Sequence, residues 1–256
     1  MTEGDHTWRK LLQPLYGVVG LLLIWQIVSA TRLVDPFLLP SVSSTAKAIW
    51  VGFTEGPLLF DLSRTVERTM LAFAFASVIA VPVGIALGAA PAVYEKLEFV
   101  IDFFRSTPAS AVFPLFLVLF GAGNVTKIAV AAFGAGLVIL FNAAYGVINA
   151  RKTRVLAAKV MGVPQFRILT DIMLWEALPQ IIVGMRNGVS IALIIVIVAE
   201  MFIGSVDGLG YRIFSAQMLF DMPTMYGAIF ITGALGYVLN LVFVMFDKYF
   251  VHWSGK

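Results

Sequence analysis

Residues 128–150 read IAVAAFGAGLVILFNAAYGVINA and contain no charged side chain. An α-helix rises about 1.5 Å per residue, so about 20 apolar residues cross the roughly 30 Å hydrocarbon core of a bilayer. This stretch is long enough and apolar enough to predict a membrane-spanning helix.

The same pattern recurs along the chain and predicts an all-α integral membrane protein with about six transmembrane helices. The predicted spans are 11–31, 69–94, 99–121, 126–149, 177–204 and 223–247, all within one transmembrane domain that covers residues 1–256. The first span is longer than a typical signal-peptide core, so an uncleaved anchor is expected. The fifth span contains Arg186 and Glu200. Charged groups are costly in lipid, so both are expected to face protein or water.

The composition excludes several function classes. The chain is 60% hydrophobic and 13% charged, with a mean hydropathy of +0.92, and a soluble domain of this length could not hide so much apolar surface. There is no cysteine, and His6 and His252 lie at opposite ends of the chain. We therefore expect no catalytic centre, no metal site and no cofactor. The small net charge of +3 gives no case for nucleic-acid binding.

Lysine and arginine residues predict the orientation in the membrane. Six spans place both termini on one side, which would then hold ten of these residues against six on the other side. Both termini are therefore expected in the cytoplasm. The densest basic cluster, between Arg151 and Arg167, then lies in a cytoplasmic loop at 151–176.

Glycine and proline residues inside the predicted spans indicate how the helices pack. Gly84 and Gly88 are four residues apart, as are Gly184 and Gly188, and this spacing places small residues on one helix face. Close packing between helices is expected there. Three prolines, at positions 82, 108 and 114, should bend or interrupt their helices.

The loop at 151–176 is expected to form two short helices that meet at a sharp turn. Thr153 could cap the first helix, Gly162 suits the left-handed position after its end, and Pro164 could begin the second helix. Leu156 stands three residues after Thr153, where a glutamate would complete a capping box, so Leu156→Glu should stabilise the first helix. The apolar side chains of this loop need cover. They would find it on the lipid surface or in a cytoplasmic partner.

This loop resembles the signature loop of permeases from binding-protein-dependent ABC importers. The signature runs Glu-Ala-Ala, three residues, Gly, nine residues, Ile, one residue, Leu-Pro. At that spacing this chain has Ala157, Ala158, Gly162, Ile172 and Leu174. Leu156 replaces the glutamate and Trp175 replaces the proline, while a second proline that is common in the family is present as Pro179.

Further stretches between about residues 36 and 253 are similar to the same family. They include Pro36–Ser41, Arg105–Pro108, Ala199–Met201 and Gly208–Gly210. Together they point to the branch that handles sulfonates, taurine, nitrate and thiamine-type precursors.

The resemblance implies a permease subunit that forms the path for a small polar or anionic organic solute, by alternating access coupled to ATP hydrolysis on a partner subunit. It implies two copies of a separate ABC ATPase subunit, a second permease copy, a periplasmic or surface substrate-binding protein, and a multi-pass location in the bacterial inner membrane. The chain agrees in having no phosphate-binding loop of its own. The residues that would couple to the ATPase are Ala157, Ala158, Gly162, Val163, Pro164, Phe166 and Arg167.

Three polar residues within the spans are candidates for the translocation path or its gate: Glu200, Asn142 and Ser190. Glu200 could instead be paired with Arg212 or solvated, and Asn142 could serve helix packing. Arg186 could simply extend its charge toward the interface. A stand-alone secondary carrier is the alternative function, although the buried charge relay that such carriers use is sparse here. A lipid-modifying enzyme would need a cluster of nucleophile, base or metal ligands, and the sequence has none.

Overall fold

The computed structural model describes the backbone of residues 4–250 and the side chains of residues 16–247 and 249. His6, His252 and the basic residues Arg9, Lys10, Lys248 and Lys256 lie outside the described side chains. The described part of the chain is all-α and contains no strand. Its helices are α1 (Gly4–Ala30), α2 (Val42–Thr54), α3 (Leu58–Ala89), α4 (Pro91–Ser106), α5 (Phe113–Phe120), α6 (Asn124–Ile148), α7 (Lys152–Val160), α8 (Gln165–Ile168), α9 (Leu174–Phe202), α10 (Leu209–Met218) and α11 (Met222–Phe250).

The apolar helices confirm the predicted fold class. Among the described residues, α3, α6, α11 and the continuous segment Gln165–Phe202 are each long and apolar enough to cross a membrane, and the described apolar part of α1 is Tyr16–Ala30. The segment Gln165–Phe202 is continuous because one π-helical turn, Leu169–Met173, joins α8 to α9.

The third predicted span, 99–121, is not one straight helix. It consists of α4 and a second piece, Ala109–Phe120, which meet at 89°. Pro108 disfavours helical geometry at the preceding residue, and Thr107 is accordingly extended, with φ −78° and ψ 123°. The interruption predicted at Pro108 is therefore confirmed. By contrast, Pro82 lies inside the unbroken helix α3, and Pro114 lies in the first turn of α5, where its missing N–H costs nothing.

The chain divides into two compact units. One consists of the residues up to Leu59 together with Arg212–Ile231, and the other of Phe60–Tyr211 together with the residues from Thr232 onward. In the first unit, the Trp25 indole donates a 2.9 Å hydrogen bond to the Pro40 carbonyl oxygen, and its ring lies 5.7 Å from that of Tyr226. Ser41 caps α2 by accepting a 3.1 Å hydrogen bond from the Ser44 backbone N–H.

The second unit is built around α6, which packs closely against α3 and α9. A Cβ atom added at Gly84 would lie 2.6 Å from a backbone oxygen of α6, and one added at Gly188 would lie 2.6 Å from Ile139. Gly88 and Gly184 are equally tight against α6, so the predicted close packing is confirmed for both glycine pairs. Small residues let these helices approach closely, and dispersion forces between them then favour association within lipid.

Candidate functional site

The first helix of the loop, α7, does not begin where the sequence suggested. Its N-cap is Arg151, which makes no side-chain capping bond, and Thr153 already lies in the first turn. The prediction that Thr153 caps this helix is therefore wrong. Leu156 is then the fifth residue of α7, too far along for its side chain to complete a capping box. The stabilisation expected for Leu156→Glu loses its physical basis.

The N-terminus of α7 is instead satisfied by Glu176, which comes from α9. The Glu176 carboxylate accepts a 3.0 Å hydrogen bond from the Arg151 backbone N–H and a 2.5 Å bond from the Arg154 guanidinium. The Arg151 side chain approaches the same carboxylate at 3.8 Å. In a capping box, a glutamate within the first turn accepts the N-cap N–H. Here a glutamate 25 residues later makes the same bond, and its negative charge faces the positive end of the helix dipole.

The turn after α7 matches the expectation for Gly162. This residue has a φ of +75°, and its N–H bonds to the Lys159 carbonyl oxygen while the Val163 N–H bonds to that of Ala158, both at 3.0 Å. These two bonds define a Schellman motif, in which a glycine adopts the left-handed conformation without strain. The role of Gly162 as the turn residue is confirmed.

The second helix of the loop is not a separate short helix. Pro164 is the residue just before α8, with φ −65° and ψ 146°, and from Gln165 the chain stays helical to Phe202. The predicted pair of short helices is therefore wrong in its second half. The loop leads directly into the long α9 helix.

The turn of the loop presents apolar side chains away from the protein. Val160 is 82% exposed, Met161 80% and Phe166 74%, while Ala158 and Ile168 are buried and anchor the turn to the rest of the unit. Of the other predicted coupling residues, Ala157, Pro164 and Arg167 are exposed and Val163 is half-buried. Between the start of α7 and the residues around the start of α9 lies a cavity of about 370 Å³, lined by Arg151, Arg154, Asp171, Ile172, Trp175, Glu176 and Pro179.

The opposite end of α9 carries a buried ion cluster around Glu200. Glu200 is 1% exposed, and Oε1 accepts a 2.6 Å bond from Arg68 of α3, which is 3% exposed. Thr65 Oγ1 lies 2.9 and 3.0 Å from the two carboxylate oxygens, and the Gly210 N–H donates to Oε2 at 3.0 Å. A cationic partner of Glu200 is thus Arg68, and because Glu200 is buried the suggestion of a solvated carboxylate is wrong.

Arg68 also holds the loop that follows α9. Its guanidinium bonds to the Asp207 carboxylate, to the Asp207 carbonyl oxygen at 3.1 Å and to Asn124 Oδ1 at 3.0 Å. Burial would raise the pKa of Asp207, but the hydrogen bond from Arg68 and the positive charges of Arg68, Arg64 and Lys127 outweigh it and hold the pKa of this carboxyl below its ordinary value.

The loop itself fits tightly around Glu200. Gly208 has a φ of +106°, and a Cβ atom there would lie 2.4 Å from the Glu200 carboxylate. Its N–H donates to Asp61 at 2.9 Å, and the next N–H donates to Thr65 at 2.8 Å. Sequence reasoning singled out Glu200 and missed Arg68. A buried carboxylate requires a cation, and Arg68 stands near the end of the second predicted span on the same side of the membrane.

The remaining candidates lie in the middle of the helices. Asn142 Nδ2 donates to the Val138 carbonyl oxygen at 2.8 Å, and Oδ1 accepts a 2.8 Å bond from Gln180 of α9, so Asn142 links α6 to α9. Ser190 donates to the Arg186 carbonyl oxygen at 3.3 Å. Arg186 Nε donates a 2.6 Å bond to Asn240 Oδ1 of α11. A place in a translocation path stays a prediction for Asn142, Ser190 and Glu200.

Comparisons with known proteins agree with this architecture. Residues 80–254 match the family described as "Binding-protein-dependent transport system inner membrane component". The chain is 27% identical over 253 residues to the taurine transport system permease protein TauC of Escherichia coli, covering 97% of this chain and 92% of that protein. It is 28% identical over 250 residues to the bicarbonate transport system permease protein CmpB of Synechococcus elongatus, covering 93% and 90%. An inward-facing structure of the MetNI methionine ABC transporter shares the fold, with a TM-score of 0.66 at 19% identity over 75% of this chain and 95% of that chain.

Proposed function

Since this chain belongs to the family of binding-protein-dependent transport system inner membrane components, we propose that it forms the translocation path for a small polar or anionic solute such as a sulfonate, taurine, nitrate or a thiamine-precursor-like compound. The chain is the permease subunit of an ABC importer and lies in the inner membrane as a multi-pass protein. The solute class is supported by relatives named for taurine and bicarbonate, which are both small solutes with an acidic group.

The exposed apolar turn between α7 and α8 is the observation that carries the proposed coupling. Val160, Met161 and Phe166 would remain in water in the isolated chain, although their neighbours Ala158 and Ile168 are buried. Exposed apolar side chains on a rigid turn are typical of a protein interaction site. A groove on an ATPase subunit would cover them.

The complete assembly is proposed to contain two copies of this chain, two ATPase subunits and one soluble binding protein that delivers the solute. Both termini and the loop would lie in the cytoplasm, as the basic residues predict. When ATP closes the ATPase subunits, the docked loops move with them. The attached helices then tilt and alternate the side to which the path is open.

Purification of the tagged chain from native membranes in mild detergent, with mass spectrometry of its partners, tests this proposal. A stoichiometric ATPase subunit is expected, and Val160→Glu should remove it. Val206→Glu is the matched control, because both valines are 82% exposed and position 206 lies beyond the other end of α9. Reconstituted vesicles should take up taurine or bicarbonate only with ATP and the binding protein. Uptake by this chain alone, driven by an ion gradient, would overturn the proposal in favour of a carrier.

A further inference from the structure

One stripe of α9 is left open by its neighbours. Val183, Asn187 and Ile194 are exposed and Ser190 is half-buried, and their spacing of four, three and four residues places them on one helix face. An adjacent face packs against α6 through Gly184 and Gly188. The open stripe therefore contains two polar side chains where a lipid-facing surface would be apolar.

Arg186 lies beside this stripe, one turn before Ser190. Its Nε is held by Asn240 of α11 at 2.6 Å. Among the described residues, its one side-chain hydrogen bond is this bond from Nε, so neither Nη group has a protein partner there. The hydrogen bond to Asn240 fixes the position of the guanidinium. Because the Asn240 side chain is neutral, it leaves the positive charge of Arg186 uncompensated.

Arg186 lies in the middle part of the apolar helix α9, away from both of its charged ends. Glu176 lies near the start of this helix, at the end that joins the loop at 151–176, and Glu200 is buried near its opposite end. At about 1.5 Å per residue, Arg186 lies about 15 Å from Glu176 and about 21 Å from Glu200 along the axis. Both distances are larger than the reach of an arginine side chain, so the Arg186 charge stays in the middle part of α9, away from Glu176 and from Glu200. Charged groups at this depth face a protein interior or a water-filled cavity.

We propose that Arg186, with Asn187 and Ser190, forms an anion-binding point in the translocation path that takes the sulfonate, carboxylate or similar oxyanion group of the transported solute. This inference rests on the proposed function and specifies the chemistry that the path recognises. A guanidinium whose Nη groups are both available matches the spacing of two oxyanion oxygens. Asn187 and Ser190 add neutral hydrogen-bonding groups within one helical turn.

A cavity next to the stripe leaves room for such a solute. It measures about 370 Å³ and reaches the stripe at Ile194, with Ser110, Thr107 and Arg105 among its lining residues. That volume is sufficient for a small organic anion, and the other α9 residues that line the cavity are Ile191, Ile195 and Val198.

The natural absence of cysteine makes the test direct. Asn187→Cys and Ser190→Cys are introduced separately into the complete importer in phosphatidylcholine vesicles. Each is labelled with an anionic reagent, 2-sulfonatoethyl methanethiosulfonate, and with its cationic trimethylammonioethyl analogue. Rates are normalised to the reaction of each reagent with a free thiol. Val78→Cys on an exposed apolar face is the control for lipid, and Val206→Cys is the control for water.

Both cysteines are expected to react in at least one nucleotide state, with a normalised preference of about fivefold for the anionic reagent. In water, one fixed positive charge about 8 Å away attracts the anionic reagent and repels the cationic one, and the two effects together give a rate ratio of about five. Adding Arg186→Gln should reduce the preference to about one, whereas Arg186→Lys should keep it. Soluble ethanesulfonate should slow labelling only when position 186 is positive.

Three results would overturn the inference: no labelling of either cysteine in any nucleotide state while Val206→Cys reacts, no charge preference, or a preference that survives Arg186→Gln. If phosphatidylglycerol slows labelling and ethanesulfonate does not, the bound anion is a lipid headgroup and the path assignment fails. The proposed function is judged separately, from ATPase co-purification and ATP-dependent uptake. An importer that assembles and transports without anion preference at α9 would refute this inference alone.

Discussion

Glu176→Ala removes the only side chain that satisfies the N-terminus of α7 among the described residues. The change deletes the acceptor for the Arg151 N–H and the partner of Arg154. Loss of a capping acceptor costs about 0.5–2 kcal/mol, and loss of a negative charge at a helix N-terminus costs about 0.3–1 kcal/mol. The Arg154 side chain is 59% exposed, so its ion pair adds no more than about 1 kcal/mol. We expect α7 to lose about 1–3 kcal/mol of local stability.

Amide hydrogen exchange of the purified permease measures this loss. Because every 1.4 kcal/mol is a factor of ten, exchange at residues 155–161 should accelerate about 5- to 150-fold. Exchange in the middle of α6 should be unchanged, since the Glu176 contacts do not reach it. In the full importer, the same variant should hydrolyse ATP while transporting less solute per ATP.

A second substitution separates capping from general damage. Arg154 is the third residue of α7, where a glutamate side chain can turn back to the N-cap N–H. Arg154→Glu should therefore restore part of the protection in the Glu176→Ala background, although in the native background it opposes Glu176. Leu156→Glu, two residues further along, should not restore it. Unchanged exchange in Glu176→Ala, or equal rescue by both glutamates, would refute this account of the loop.

Other predictions follow from buried contacts and from the turn. Arg68→Met leaves Glu200 buried without its cation and should lower the free energy of unfolding, measured by thermal unfolding, by about 3–5 kcal/mol. Adding Glu200→Leu should recover part of that loss. Strictly additive effects of the two changes would contradict the pairing. Gly84→Ala forces a Cβ atom to 2.6 Å from a backbone oxygen of α6 and should destabilise by about 1–3 kcal/mol. Gly233→Ala, where a Cβ atom meets nothing within 4 Å, should not destabilise at all. Gly162→Leu places a leucine in the left-handed conformation, which costs about 1–2 kcal/mol. This variant should still insert into the membrane but transport less solute per ATP, whereas Gly162→Asn should keep normal transport per ATP. A normal transport rate in the leucine variant would count against the role of the turn.

The features that the sequence predicted correctly depend on local properties. Span length is a matter of consecutive apolar residues, and the left-handed turn depends on the conformational freedom of Gly162 itself. The break at Pro108 was equally local, because the proline restricts its own neighbour. Its 89° angle was not predictable, since that angle depends on how α4 and the residues from Ala109 onward pack against other helices.

The features that the sequence analysis missed depend on residues far apart in the chain. The α7 cap joins Arg151 to Glu176 across 25 residues, and the ion pair of Glu200 joins it to Arg68 across 132 residues. A capping box is recognisable only when donor and acceptor share one helical turn. When another helix supplies the acceptor, the local pattern points to the wrong residue, as it did at Thr153.

The same two long-range contacts explain how α9 can carry motion. Glu176 fastens one end of this helix to α7, and Glu200 fastens the other end to α3, about 36 Å away at 1.5 Å per residue. The helix is irregular only near the end that joins the loop at 151–176, at the π turn Leu169–Met173 and at Pro179. Bending is therefore concentrated near the loop, and the segment that packs on α6 through Gly184 and Gly188 must move as one body. In the proposed transport cycle, a displacement of the loop would reach the Glu200 cluster through this segment, and Arg186 lies on it between the two fastened ends.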